Sequence, residues 1–185
     1  QWEKKNIKGA ELSKKTLGIV GFGNVGVRLS NLVKGFDMNI LVNSKSLESR
    51  KKDYPHVKNV SFDELISNSD IISFHCKAAK DGKPLITKEH YKKMKPTAYI
   101  INAARGNIVD EKDLNEALNA NLIAGAALDV YSKEPAKENV LFNNPKAILT
   151  PHIAASTTEA SIVVAEMVAN QISDFLLNGV KINTV

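Results

Sequence analysis

The sequence predicts an α/β fold built on a doubly wound parallel sheet, and three observations predict it. Short apolar runs alternate with helix-like segments along the whole chain. The runs are apolar at consecutive rather than alternate positions, as in strands covered on both faces. One of them, residues 17–20, leads straight into Gly21-Phe-Gly-Asn-Val-Gly26, after which residues 27–36 show helical periodicity.

That strand, turn and helix are the first element to justify. Gly21, Gly23 and Gly26 have G-x-G-x-x-G spacing. The first glycine permits a tight turn, the second lets phosphates approach the backbone, and the third lets helix and strand pack closely. Bare N–H groups and a helix N-terminus then face a pyrophosphate. This context predicts a Rossmann-type dinucleotide site; the spacing alone also marks ordinary turns.

The second strand is expected at 40–42. Such folds place an acid about 20 residues past the glycines to hold the adenosine ribose. Here the strand runs out as Leu41-Val-Asn-Ser-Lys-Ser46, and spacing puts Ser44 at that position. A serine can hydrogen-bond a ribose but cannot repel a 2′-phosphate, which Lys45 and Arg50 can neutralise. NAD and NADP both stay open.

Further strands are expected at 71–74, 98–102, 125–129 and 147–149. The helices between them carry start signals. Ser61-Phe-Asp-Glu64 is a capping box. Thr87 caps residues 88–94, which Pro96 ends. Asp110 caps a helix with Leu114, Ala117 and Leu118 on one face. Ser156-Thr-Thr-Glu159 opens a long helix, residues 157–177, apolar around much of its circumference. Such a helix is expected to be buried on more than one side, on the sheet and against a second lobe or subunit.

Three later motifs carry the polar groups. Arg105 follows the strand ending at Asn102, where a planar guanidinium can clamp a carboxylate. Asp129 ends a strand, with Glu134 and Pro135 in the loop beyond, and His152 follows Pro151 before a helix start. All lie at carboxyl ends of expected parallel strands, the edge where ligands bind. A His–Glu pair there is a reasonable acid/base unit.

In this order the motifs resemble the nucleotide-binding domain of the D-isomer-specific 2-hydroxyacid dehydrogenases. The likeness rests on Gly21-Phe-Gly-Asn-Val-Gly26, Asn102-Ala-Ala-Arg-Gly106 with Ile108-Val-Asp-Glu111, Ala127-Leu-Asp-Val-Tyr-Ser-Lys-Glu-Pro135 and Thr150-Pro-His-Ile-Ala154, with Trp2 and the lead-in Lys8-Gly-Ala-Glu-Leu12. It implies one Rossmann domain over residues 1–185, with a lead-in at 1–15, excised from a two-lobe enzyme and forming a homodimer. Arg105 would bind the substrate carboxylate or keto oxygen, His152 would be the acid/base, and Glu134 would pair with it. Gly21, Gly23, Asn24, Val25, Gly26, Ser44, Lys45, Cys76, Ala103, Ala104, Arg105, Asp129, His152, Ile153, Ala154 and Ala155 would line the cofactor. The resemblance implies NAD, with NADP open because Ser44 replaces the usual acid. A second departure is His75-Cys-Lys-Ala-Ala79, where the family has a His-x-Pro-Leu-like stretch. Corepressor-like dinucleotide sensors share the fold, so chemistry is not fixed by it.

Composition bounds the rest. The chain has 185 residues, 43% of them hydrophobic, enough for one core. No apolar run approaches the roughly 18 residues of a membrane span, and the polar start is no signal peptide. The first residue is Gln1, so processing, or excision from a larger protein, is expected. A single cysteine, Cys76, rules out an internal disulfide and fits a reducing, cytoplasmic compartment. The net charge of +5 comes from lysine pairs without interleaved aromatics, which reads as a solvated surface and not a nucleic-acid platform. His75 and Cys76, adjacent and without a second cluster, make a poor zinc site.

Overall fold

The computed structural model describes residues 9–183, so Trp2 and Lys8 lie outside the described residues. Two compact units are present, Gln1–Pro151 and His152–Val185.

The first unit holds a seven-stranded parallel sheet: β1 (Thr16–Val20), β2 (Asn39–Asn43), β3 (Lys58–Asn59), β4 (Ile71–Phe74), β5 (Tyr99–Asn102), β6 (Gly125–Leu128) and β7 (Ala147–Leu149). The strand order is β3-β2-β1-β4-β5-β6-β7, so the winding reverses between β1 and β4. Ligands bind at the carboxyl side of such a reversal. The register pairs Asn43 with Val20, Val20 with Phe74, Phe74 with Asn102, Asn102 with Leu128 and Leu128 with Leu149. The strands therefore end in one row. The residues directly after it, Ser44, Gly21, His75, Ala103, Asp129 and Thr150, share one rim.

Side chains alternate across the sheet and so build two cores. Ile72, Phe74, Ile100 and Leu128 join Leu114 and Leu118 of α4 (Glu111–Asn119) in the larger one. Leu17, Ile19, Ile40 and Val42 join Phe22, Leu47 and Val57 in the smaller. Burying each such side chain contributes about 1.5–3 kcal/mol. The sequence predicts cover on both faces of every strand, but Tyr99, Ile101 and Ile148 are exposed on the smaller-core side. Their strands face only one core among the described residues.

The helices follow their caps. α1 (Asn24–Leu32) continues as a 3-10 turn, Val33–Phe36, and Asp37 in the left-handed region closes it. In α2 (Phe62–Asn68) the Ser61 hydroxyl accepts from Glu64 N–H at 3.2 Å. α3 spans only Lys88–Tyr91, shorter than the expected 88–94. Asp110 caps α4, accepting from Lys112 N–H at 3.0 Å and Asp113 N–H at 2.9 Å. Strand β3 was not expected, because Lys58-Asn59 carries no apolar signal.

The second unit is dominated by α5 (Thr158–Asn178). Its cap is Thr157, which accepts from Ala160 N–H at 3.0 Å, one residue beyond the expected Ser156. Gly179, at φ +66°, ends it in a left-handed turn. Burial on more than one side was expected, yet none of its residues is buried; Ile162, Val163, Val168, Ile172, Phe175 and Leu176 are all exposed. At 21 residues, with mean hydropathy 1.3, it is long and apolar enough to cross a membrane by length and composition alone. The sequence, which holds no unbroken apolar run of that length, predicts no such segment. Glu159, Glu166 and Asp174 lie within this helix, and a carboxylate at a bilayer centre would cost about 3 kcal/mol.

Candidate functional site

The glycine loop leaves β1 in a conformation that only glycine takes easily. Gly21 sits at φ +94°, and a Cβ there would lie 2.6 Å from the His75 carbonyl oxygen. A Cβ on Gly26 would lie 2.4 Å from the Gly21 carbonyl oxygen, so α1 folds tightly back on the turn. Gly23 is different: nothing lies within 4 Å of where its Cβ would be. Gly23 is also the N-cap of α1; no side chain caps that helix, and its first turn has no acid. The first-turn N–H groups and the positive end of the helix thus face open space beside exposed Asn24 and Val25. A pyrophosphate fits that opening.

Around the rim, Ser44 follows β2 and is fixed by Asn59, whose side chain accepts from Ser44 N–H and donates to its carbonyl, both at 3.2 Å. Lys45 beside it is exposed. After β4, His75 Nε2 lies 2.9 Å from the Ser73 hydroxyl. Burial lowers the pKa of His75 and raises that of Cys76, so ring and thiol are both neutral at pH 7.

Beyond β5 and β6 two loops interlock. The buried Asn102 side chain donates to the Arg105 carbonyl at 2.9 Å and accepts from Ala104 N–H at 3.1 Å. This shapes the turn that carries Ala103, Ala104 and the exposed Arg105, whose Nη1 donates to the Ala104 carbonyl at 2.6 Å. The next residue, Gly106, lies against the second loop: a Cβ there would sit 1.8 Å from the Tyr131 carbonyl oxygen. In that loop Glu134 Oε1 accepts from Tyr131 N–H at 2.9 Å. The Tyr131 hydroxyl donates to the Thr150 carbonyl at 3.0 Å, and the Thr150 hydroxyl donates to Asp129 Oδ1 at 2.5 Å. Arg105, Asp129 and Glu134 are therefore brought together on one rim with the glycine loop.

His152, Ile153, Ala154 and Ala155 open the second unit, and all four are exposed. His152 sits at φ +56°, a left-handed backbone uncommon outside glycine, asparagine and aspartate.

A family model described as "D-isomer specific 2-hydroxyacid dehydrogenase, NAD binding domain" matches residues 1–154. The chain belongs to this dehydrogenase family. It is 42% identical over 173 residues to a D-3-phosphoglycerate dehydrogenase of Archaeoglobus fulgidus, covering 93% of the chain and 33% of that protein. It is 39% identical over 174 residues to a glyoxylate reductase of Pyrococcus furiosus, covering 94% and 52%. The crystal structure of a glyoxylate reductase from Paecilomyes thermophila superposes with a TM-score of 0.86 at 34% identity, covering 98% of the chain and 55% of that structure. The chain thus spans a third to a half of the relatives it matches.

Two residues of this dehydrogenase domain escape sequence reasoning. Asn102 shapes the Arg105 turn, as above. Glu111, at the start of α4, accepts from Ser132 N–H at 2.8 Å, from the Ser132 hydroxyl at 3.0 Å and from Asn139 Nδ2 at 2.9 Å. It braces the Glu134 loop. An acid in the first turn of a helix reads from sequence only as a partner of the helix dipole. Glu111→Ala is expected to destabilise the domain by about 1 kcal/mol, read as a lower denaturation midpoint. Amide exchange at Ser132 should quicken with it; unchanged exchange there would mean Glu111 does not brace this loop.

Proposed function

We propose that the chain is the cofactor domain of an NAD(P)-dependent D-2-hydroxyacid dehydrogenase of the phosphoglycerate type, acting at the first step of serine synthesis in the cytoplasm. The observation that carries the reading is the interlock of the Arg105 and Glu134 loops on the rim that also bears the open glycine turn. Bound in that turn, a nicotinamide cofactor would supply or accept the hydride. Arg105 holds the substrate carboxylate with its planar fork. His152 gives a proton to the carbonyl oxygen in reduction and takes it back in oxidation. Glu134 is the carboxylate that orients the His152 ring. Asp129 and the segment from His152 to Ala155 line the nicotinamide end, with Cys76, Ala103 and Ala104 as apolar walls.

The exposed apolar side of α5 suits a second copy of the chain or the lobe that the longer relatives add. Without that lobe the cleft lacks a wall to exclude water, so the domain alone binds cofactor with little turnover. Sedimentation at micromolar concentration reads the dimer.

A second reading within the family is an NADPH-dependent glyoxylate or hydroxypyruvate reductase, favoured by Ser44 in place of an acid. A corepressor-like NAD(H) sensor is the reading outside catalysis. A panel of 2-keto acids on the full-length protein separates the three. Highest kcat/KM for 3-phosphohydroxypyruvate is expected. Preference for glyoxylate or hydroxypyruvate supports the second reading, and tight NADH binding without turnover supports the sensor.

A further inference from the structure

The turn between β4 and α3, residues 75–87, carries three lysines, Lys77, Lys80 and Lys83, that the dehydrogenase reading leaves without a task. The turn is held against the Arg105 loop at both ends. The register pairs Phe74 with Asn102, so Lys77 and Arg105 each stand three residues past the row on neighbouring strands. The chain then returns to the same loop. The N–H groups of Leu85 and Ile86 both donate to the Ile108 carbonyl at 2.9 Å, and Asp110 N–H donates to the Ile86 carbonyl at 3.1 Å. At the tip, Gly82 N–H donates to the Ala79 carbonyl at 3.1 Å, with Gly82 at φ +72°. Gly82 and Pro84 also share a cavity of about 310 Å³ with Asn107 and Ser132, so the tip lies beside both the Arg105 and the Glu134 loops.

Lys77 and Lys80 are exposed, and neither pairs with an acid among the described residues. Lys83 is partly spent, 3.7 Å from Asp81. The next four lysines along the chain, Lys88, Lys92, Lys93 and Lys95, all pair with carboxylates at 2.9 Å or less. Two acids also line the cavity, but Asp110 accepts from the first N–H groups of α4, and Glu111 accepts from Ser132 and Asn139. Two uncompensated cations therefore flank the loop of Arg105.

We infer that Lys77 and Lys80 take the phosphate of a phosphorylated 2-hydroxy acid whose carboxylate lies on Arg105. The inference rests on the phosphoglycerate reading above and deepens it by placing a phosphate contact on this turn. An ammonium is a compact point charge on a flexible stem, suited to a tetrahedral dianion that presents no single plane. An unphosphorylated 2-keto acid has one anionic group, which Arg105 satisfies. The lysines thus act on the choice between substrates and not on the hydride step.

Steady-state kinetics of the full-length protein with 3-phosphohydroxypyruvate and hydroxypyruvate, which differ only in the phosphate, test this. In Lys77→Gln and in Lys80→Gln, kcat/KM for 3-phosphohydroxypyruvate is expected to fall about tenfold, mostly through KM, the size of one lost charged contact. For hydroxypyruvate it should stay within about twofold, as should NAD(P)H affinity by fluorescence titration. Lys77→Arg should recover most of the loss, because the charge is kept. Both side chains are exposed, so neither variant puts the fold at stake. Equal losses on both substrates, no loss on either, or a matching loss of NAD(P)H affinity, which would give the lysines to the cofactor, would overturn the inference alone. A wild-type preference for hydroxypyruvate would overturn the phosphoglycerate reading beneath it, and the inference with it.

Discussion

His152→Ala in the full-length protein is expected to lower kcat by about 10²–10⁴-fold while leaving NAD(P)H affinity within about twofold. A positioned acid that protonates the carbonyl as negative charge develops on it supplies that factor, and no water at neutral pH replaces it at the same point. His152 stands two residues past the rim of β7 and takes a left-handed backbone outside any regular element. Loss of cofactor affinity with turnover intact would remove it from the acid/base role. Steady-state kinetics and cofactor titration on one preparation separate the outcomes.

Gly106→Ala is expected to have the second large effect. The new methyl carbon would lie 1.8 Å from the Tyr131 carbonyl oxygen, 2.0 Å from its carbon and 2.6 Å from Ser132 N. All three are backbone atoms, so no rotamer change relieves the clash, and the two loops must separate. Overpacking of this kind costs about 3 kcal/mol, a fall in Tm on the order of 10 °C for a domain of this size. The same separation moves Arg105 relative to Glu134. A displacement of about 1 Å at a positioning group costs roughly a hundredfold in rate, so kcat/KM should fall beyond what the loss of folded protein explains. A Tm within 2 °C of wild type, against the expected shift on the order of 10 °C, would show that the loops are not locked together at this glycine.

Much of this architecture is legible in the sequence because its strands are apolar on consecutive residues. The runs expected at 71–74 and 147–149 match β4 and β7 residue for residue, and the others differ by one residue at their ends. The caps at Ser61, Thr87 and Asp110 were readable because a hydroxyl or carboxylate before an apolar face has one local use. What was hidden depends on partners far along the chain. β3 has two polar residues and exists only through its pairing with β2. Asn102 and Glu111 act through hydrogen bonds to loops whose position no periodicity reveals. Arg50 was readable as a nearby charge; its anchorage on Phe22, 28 residues earlier, was not. The breadth of the apolar face on α5 signalled burial, but periodicity does not say which body supplies the cover, and within this chain none of that helix is buried.

The assigned chemistry is tested most directly by oxidation of paired D- and L-2-hydroxy acids, including D- and L-3-phosphoglycerate analogues, by the full-length protein with NADP⁺ and NAD⁺. Reduced cofactor is expected with the D-isomers only, and is expected to disappear in both His152→Ala and Arg105→Ala. Equal consumption of the L-isomers, or tight cofactor binding with no oxidation of either isomer, would contradict it.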